Sequence, residues 1–237
     1  MALEVLSDDE APHVAFTGSS GTGKTTLAKW LAKELDVPFN PIGARSVAVD
    51  MGFVDEKGEA RPYDVDNASL KTYLHYAPNL QESTPEQRIL AARASRGSGR
   101  DQQSPTCRVL FQQEVQRQKI LWEVNHWRSG FVTDRSSIDD LTYCCLHGIR
   151  GIQEGYLDRA LEHAAKYSTI FMTPLGAFLS LEADGARVPD RTYRRIFETL
   201  LEGFLFSVPH LDINGLLWHL TMSDLDERKT YIKQTLK

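Results

Sequence analysis

Short runs of consecutive apolar residues alternate along this chain with longer stretches in which apolar positions recur at helical spacing. His13-Val14-Ala15-Phe16-Thr17 predicts a buried strand, and Lys24–Leu35, with Leu27, Leu31 and Leu35, predicts an amphipathic helix. Val37-Pro38-Phe39, Phe131-Val132-Thr133, Thr169-Ile170-Phe171-Met172 and Leu216-Leu217-Trp218-His219-Leu220 read as four further strands. Helical patterning covers residues about 43 to 52, 67 to 77, 84 to 94 and 106 to 128. A later helix follows Arg194 and Arg195, which the pattern assigns to its solvated face, with Ile196, Leu200 and Phe204 as its apolar face. Ser223, three residues before Asp226, reads as the N-cap of the last helix. Buried strands separated by helices predict an α/β fold whose parallel sheet is covered on both faces. Ser95–Pro105, rich in Gly, Ser and Gln, reads as a loop inside the domain.

One segment adds chemistry to this pattern. Gly18-Ser19-Ser20-Gly21-Thr22-Gly23-Lys24-Thr25 is an unbroken G-x-x-x-x-G-K-[ST] run between the first strand and the first helix. Its backbone N–H groups and the helix N-terminus, including Thr26, form a cradle for phosphate oxygens. Lys24 is placed to reach the β- and γ-phosphates, and Thr25 to ligate Mg²⁺. The pattern predicts binding of a nucleoside triphosphate.

Composition narrows the partners. The 237 residues are 41% hydrophobic and carry a net charge of −5, which argues against a broad electrostatic grip on nucleic acid. Cys107, Cys144 and Cys145 form neither a disulfide framework nor a metal-ligand pattern, so structural thiols in a reducing compartment are expected. His75, His126 and His147 likewise lack metal-ligand spacing. The first residues carry no basic, apolar leader pattern and no run is long enough to span a bilayer, so a cytoplasmic location is expected.

No N-K-x-D base-reading motif of a GTPase occurs, and Asp212-Ile213-Asn214-Gly215 lies too near the C-terminus for a switch loop. The acidic pair usual in AAA-type motors is replaced by Asp134-Arg135-Ser136 after the third strand. Ligands of open α/β sheets bind at such strand ends. Asp134 can activate an acceptor hydroxyl or hold Mg²⁺, and Arg135 can neutralise charge on a transferred group. A helix N-cap explains Asp134 and Ser136 but not Arg135.

Gly18–Thr25, Asp134-Arg135-Ser136 and the Arg-rich segment Asp184–Arg195 together resemble the P-loop nucleoside and nucleotide kinases. Pro41–Ala48, Asp134–Tyr143 and Asp184-Gly185-Ala186-Arg187 resemble more narrowly the compact kinases encoded by bacteriophages. The resemblance implies a three-layer α/β P-loop kinase fold over residues 1–237, with a five-stranded parallel sheet in 2-3-1-4-5 order. Residues about 40 to 130 would form a helical acceptor-side insertion and about 184 to 195 a lid. The implied cofactors are ATP and Mg²⁺, with Lys24, Asp134, Arg135, Arg187 and Arg191 catalytic and Thr25 and Asp134 holding the metal.

The chain departs from the deoxynucleoside kinases after its second strand, where Phe39-Asn40-Pro41 carries no carboxylate to serve as base. A loose transition state, or a monophosphate acceptor, tolerates that loss. Arg45, at a helix start, calls for an anionic partner, either an acceptor phosphate or a carboxylate. Tyr73, Tyr76, Phe111 and Trp122 divide between stacking on an acceptor base and core packing. Some related phage kinases act on 5-hydroxymethyluracil in DNA, and Arg88, Arg93, Arg96, Arg100 and Arg108 around the Gly/Ser loop would suit such a strand. A small nucleotide-type acceptor is the first expectation, DNA with a modified pyrimidine the alternative, and an ATPase switch the alternative of another class.

Overall fold

The computed structural model describes residues 11–44, 46–47, 105–147, 155–175, 191–208 and 216–236. Five strands, β1 (His13–Thr17), β2 (Phe39–Asn40), β3 (Phe131–Asp134), β4 (Thr169–Met172) and β5 (Leu217–His219), form one sheet in the order β2-β3-β1-β4-β5. Every pairing is parallel, with Val14 opposite Val132 on one side and Thr169 on the other. The described helices are α1 (Lys24–Leu35), α2 (Pro105–Asn125), α3 (Ser137–His147), α4 (Tyr156–Ala164), α5 (Arg191–Ser207) and α6 (Leu225–Thr235).

Strand alternation divides the core into two layers. Val14, Phe16, Val132 and Phe171 pack with Leu27, Leu31 and Ile232 of α1 and α6. Ala15, Phe131, Ile170 and Met172 face the opposite way, against Ile138, Ala160, Phe197 and Leu201 of α3, α4 and α5. Side chains of period two thus send alternate residues of each strand to opposite helical layers. Both faces are covered, so β1 and β4 are buried along their whole length.

Three expectations shift in register. The β2 ladder begins at Phe39, not Val37, because Pro38 has no N–H to donate and enters only through its carbonyl, which accepts from Val132 N at 3.0 Å. The last helix is capped by Asp224 rather than Ser223; its carboxylate accepts from Asp226 N at 2.8 Å and Glu227 N at 2.9 Å. On α5 the inward residues are Arg194, Phe197, Leu201 and Leu205, while Ile196 is exposed. Helix α2 ends at Asn125, and a 3₁₀ turn over Trp127–Ser129 completes the expected span. The patterning left α4 unmarked. The expected helices about 67 to 77 and 84 to 94, the Gly/Ser loop and the lid up to Asp190 lie outside the described residues.

Candidate active site

The loop from Gly18 to Gly23 leaves the carboxyl end of β1 and turns directly into α1. Two glycines carry its shape. Gly18 has φ +131°, and a Cβ there would stand 2.4 Å from the Thr173 carbonyl oxygen, so β4 fits against the loop only because that atom is missing. Gly23, at φ 86°, is the N-cap of α1 and supplies no side-chain cap; the first turn holds no acidic residue. The N–H groups that open a helix have no intrahelical partner, and nothing anionic from this first turn competes for them.

Lys24 is 5% exposed, its Nζ donating to Ser19 O at 2.5 Å and to Thr22 Oγ1 at 3.2 Å. The ammonium thus lies folded inside the loop. Thr22 Oγ1 also meets Thr173 Oγ1 at 2.7 Å.

At the end of β3, next to β1, Thr25 Oγ1 donates to Asp134 Oδ2. Asp134 Oδ1 is buried and has no hydrogen-bond partner. An orphaned carboxylate oxygen beside a threonine hydroxyl fits a cation: Mg²⁺ commonly takes one or two carboxylates and completes its shell with water and phosphate oxygens.

Arg135 follows in the left-handed region, at φ 83°. That conformation costs a residue with a Cβ roughly 1–2 kcal/mol. Its N–H donates to Phe16 O at 2.7 Å, and its carbonyl accepts from Lys119 Nζ at 3.2 Å and Thr133 Oγ1 at 3.3 Å. Held this way, the guanidinium turns toward the loop. It donates to Asp139 Oδ1 at 3.3 Å and Ser20 Oγ at 3.2 Å, and lies 5.0 Å from the Tyr143 ring centre. Burial works against its charge, but Tyr143, Asp139, Asp134 and Asp140 outweigh that and raise its pKa.

Asp139 joins these pieces. Its carboxylate accepts from Thr17 Oγ1 at 2.5 Å, Ser136 N at 2.8 Å, Ser136 Oγ at 3.0 Å and Gly18 N at 3.3 Å, besides Arg135. It welds the start of α3 to the start of the loop. Two more arginines reach the loop from other helices. Arg194 donates to Ser20 O at 2.8 Å while its own carbonyl accepts from Ser19 Oγ at 3.0 Å. Arg228 on α6 donates to Thr22 O at 2.7 Å.

Comparison with known proteins fits this geometry. A family model described as "ATPase family associated with various cellular activities (AAA)" matches residues 14–84. The ATP-dependent protease ATPase subunit HslU of Campylobacter jejuni subsp. doylei is 41% identical over 66 residues, 27% of this chain and 15% of HslU. A crystal structure of NadR protein in complex with NR superposes with a TM-score of 0.51 at 16% identity, covering 95% of this chain and 50% of that one. The chain carries a P-loop NTPase-type domain. It spans only 15% of the length of the HslU relative and half of the NadR chain, and the NadR likeness speaks for the fold alone. A thymidylate kinase from Ehrlichia chaffeensis aligns with a TM-score of 0.46 at 13% identity, over 96% of this chain and 100% of that one.

Within this P-loop domain, Gly18–Thr26, Asp134 and Arg135 come together at the carboxyl ends of β1 and β3. Arg187 lies outside the described residues, as do Arg45, Tyr73, Tyr76 and His75. Arg191 opens α5 and is exposed. Among the described arginines of that segment, the one that turns inward is Arg194, 7% exposed, which corrects its assignment to the solvated face. Trp122 packs against the core beside Phe131 and stacks on His126, so it is not open to an acceptor base.

Asn40, at the position without a carboxylate, is committed to structure. Its Nδ2 donates to Glu123 Oε1 at 3.0 Å, and its Oδ1 accepts from Ile42 N at 2.9 Å. Glu123 itself is fully buried, with His163 Nε2 at 2.6 Å and the Tyr167 hydroxyl at 2.9 Å. Burial and the Glu123 charge raise the Tyr167 pKa. Asp139, Lys119 and Arg228 carry no role in the sequence reading, and Arg194 carries the wrong one. The doublet Asp139-Asp140 in the first turn of α3 was a usable signal, since a helix start turns such carboxylates back toward the strand end.

Proposed function

We propose that this protein is an ATP-dependent kinase that transfers the γ-phosphoryl group, with Mg²⁺, to a nucleoside- or nucleotide-type acceptor. The observation that carries this reading is the meeting of Thr25, Asp134 and Arg135 at one phosphate cradle: a cation-ready pair at its helix end and a guanidinium on Ser20 within it. When bound, Mg²⁺ would offset charge on the β- and γ-phosphate oxygens, held through Thr25 and Asp134.

The chain's own residues do the rest. Loop N–H groups and the α1 N-terminus bind phosphate oxygens, and Lys24 exchanges the Ser19 carbonyl for the β- and γ-phosphates. Arg135 leans from Ser20 onto the transferred group and meets charge as it develops. With Oδ2 engaged by Thr25 and Oδ1 buried, Asp134 reads as the metal ligand rather than a base facing an acceptor. A loose transition state asks for positioning and charge compensation more than for a strong base, which suits a β2 end occupied by Asn40. Arg187 and Arg191 would close over the phosphates from the lid side and exclude water.

A second reading, a hydrolytic ATPase or switch, is supported by the AAA-family match and the HslU segment. Labelled γ-phosphate separates the two. The kinase reading expects label in a free nucleoside, a monophosphate, a 5′-hydroxyl oligonucleotide or DNA carrying hydroxymethylated pyrimidine, with ADP release rising on acceptor addition. ADP release indifferent to every acceptor overturns it. Among the acceptors, an affinity that falls steeply with salt marks DNA.

A further inference from the structure

Lys119 lies on α2, outside the phosphate loop, and its side chain is fully buried. Its ammonium donates to Asp140 Oδ2 at 3.2 Å and to the carbonyl oxygen of Arg135 at 3.2 Å. A buried ion pair is a weak stabiliser, because the attraction only offsets the loss of water, and an apolar pair of the same size holds a core as well. Stability alone therefore gives little reason for a lysine at this depth. The second partner supplies one. Arg135 stands in a backbone conformation that residues with a Cβ disfavour, and a carbonyl turned toward a buried ammonium is held in that turn. On its other side the Arg135 N–H is fixed to Phe16 at the end of β1. Lys119 and Phe16 thus grip the two ends of one residue whose guanidinium reaches Ser20 in the loop.

We propose that Lys119 is a positioning residue of the active site: by holding the Arg135 carbonyl it keeps the Arg135 backbone left-handed and its guanidinium over the phosphate cradle. Lys119 touches no substrate. It acts through Arg135, so its contribution exists only while the guanidinium is there to be aimed. The inference rests on the kinase reading for its catalytic consequence and on the geometry for its structural one, and the two are tested by separate signals.

The experiment pairs Lys119→Met with Asp140→Asn, so that no buried carboxylate is left without its cation, and compares this double variant with Arg135→Ala and with all three changes together. The structural signal is the Arg135 guanidinium Nε–H resonance in ¹⁵N NMR, identified by its absence from Arg135→Ala. Asp140→Asn alone, which keeps the lysine, should retain that resonance, and the double variant should lose or broaden it while the core resonances stay dispersed. The catalytic signal is kcat for phosphoryl transfer, expected to fall about tenfold to a hundredfold in the double variant, the scale of a displaced catalytic group, with KM for ATP changing about twofold or less. In the Arg135→Ala background the same two changes should alter kcat by less than about twofold, the non-additivity of groups acting as one unit. An unchanged guanidinium resonance in the double variant, or a kcat loss that multiplies onto that of Arg135→Ala, overturns the proposal. If the wild-type protein transfers label to no acceptor, the kinase reading fails, and the resonance still decides whether Lys119 holds Arg135.

Discussion

Removing the Asp139 carboxylate tests the cradle most directly. Asp139 accepts five hydrogen bonds, from Thr17, Gly18, Arg135 and two groups of Ser136, and its side chain is fully buried. Asp139→Ala leaves these donors facing a void without water. Breaking a buried charged partnership from one side costs about 3–5 kcal/mol. Asp139→Asn is milder. Its remaining oxygen can stay with Thr17 and Ser136, the three shortest contacts at 2.5–3.0 Å, while its amide turns toward Gly18 N and Arg135, each at 3.3 Å. Two long contacts are lost and donors face donors, about 1–3 kcal/mol. Urea denaturation with a shared m-value measures both, and the expected order is wild type, Asn, Ala. For a domain of this size the Ala variant should melt roughly 10 °C lower. Equal stabilities for Asn and Ala, or an Ala cost below about 1 kcal/mol, would show that the network in β1, the loop and α3 is not coupled through this carboxylate.

Lys24→Ala should reduce ATP turnover by at least about a hundredfold while leaving the melting temperature nearly unchanged, because its partners Ser19 O and Thr22 Oγ1 also bond each other at 3.0 Å; near-normal turnover would sink the kinase reading. Burial pushes the Cys144 thiol up to about 12, so peptide mapping after iodoacetamide at pH 8 should find Cys144 unmodified in the folded protein and modified in urea. Burial also pushes Asp140 up from 3.8 to about 6, against the opposing charge of Lys119 and with the like charge of Asp139. The folded state therefore binds a proton that the unfolded chain has released, and this group's contribution to stability falls as pH rises from about 4 to about 6. The stability difference between wild type and Asp140→Asn should decline through that window by at most about 1.4 kcal/mol per pH unit, and a difference that rises there would contradict the burial of this carboxylate.

Much of the frame was legible because it rests on short-range signals. The strand at residues 131–134 opens on the apolar pair Phe131-Val132, that at 169–172 carries Ile170-Phe171-Met172, and the glycine loop has few other uses between a strand and a helix. The expected sheet order appears unchanged. Helix α5 shows where such signals stop. Two apolar stripes run along it side by side, Ile196-Leu200-Phe204 and Phe197-Leu201-Leu205, and periodicity alone does not say which one turns inward. Arg194 continues the second stripe, and its polarity argued for the surface. Its long stem and charged tip are instead consumed by the Ser20 carbonyl. Arg228 was hidden for the same reason, since it reads as one more charge on a polar helix until its carbonyl partners Thr22 and Met222 are seen.

The grip on the loop has a consequence for how the protein is made. The residues that hold it lie far along the chain: Asp139 is 122 positions from Thr17, Arg194 is 174 from Ser20, and Arg228 is 206 from Thr22. A ribosome releases the glycine-rich segment early, about 10–40 s before α6 at about 5–20 residues per second. During that interval the motif exists as sequence without its finished geometry, and contacts of such range are slow to close. Nucleotide capture is therefore a property the nascent chain acquires last, and a nascent chain stalled between α5 and α6 would display the whole motif yet grip phosphate poorly.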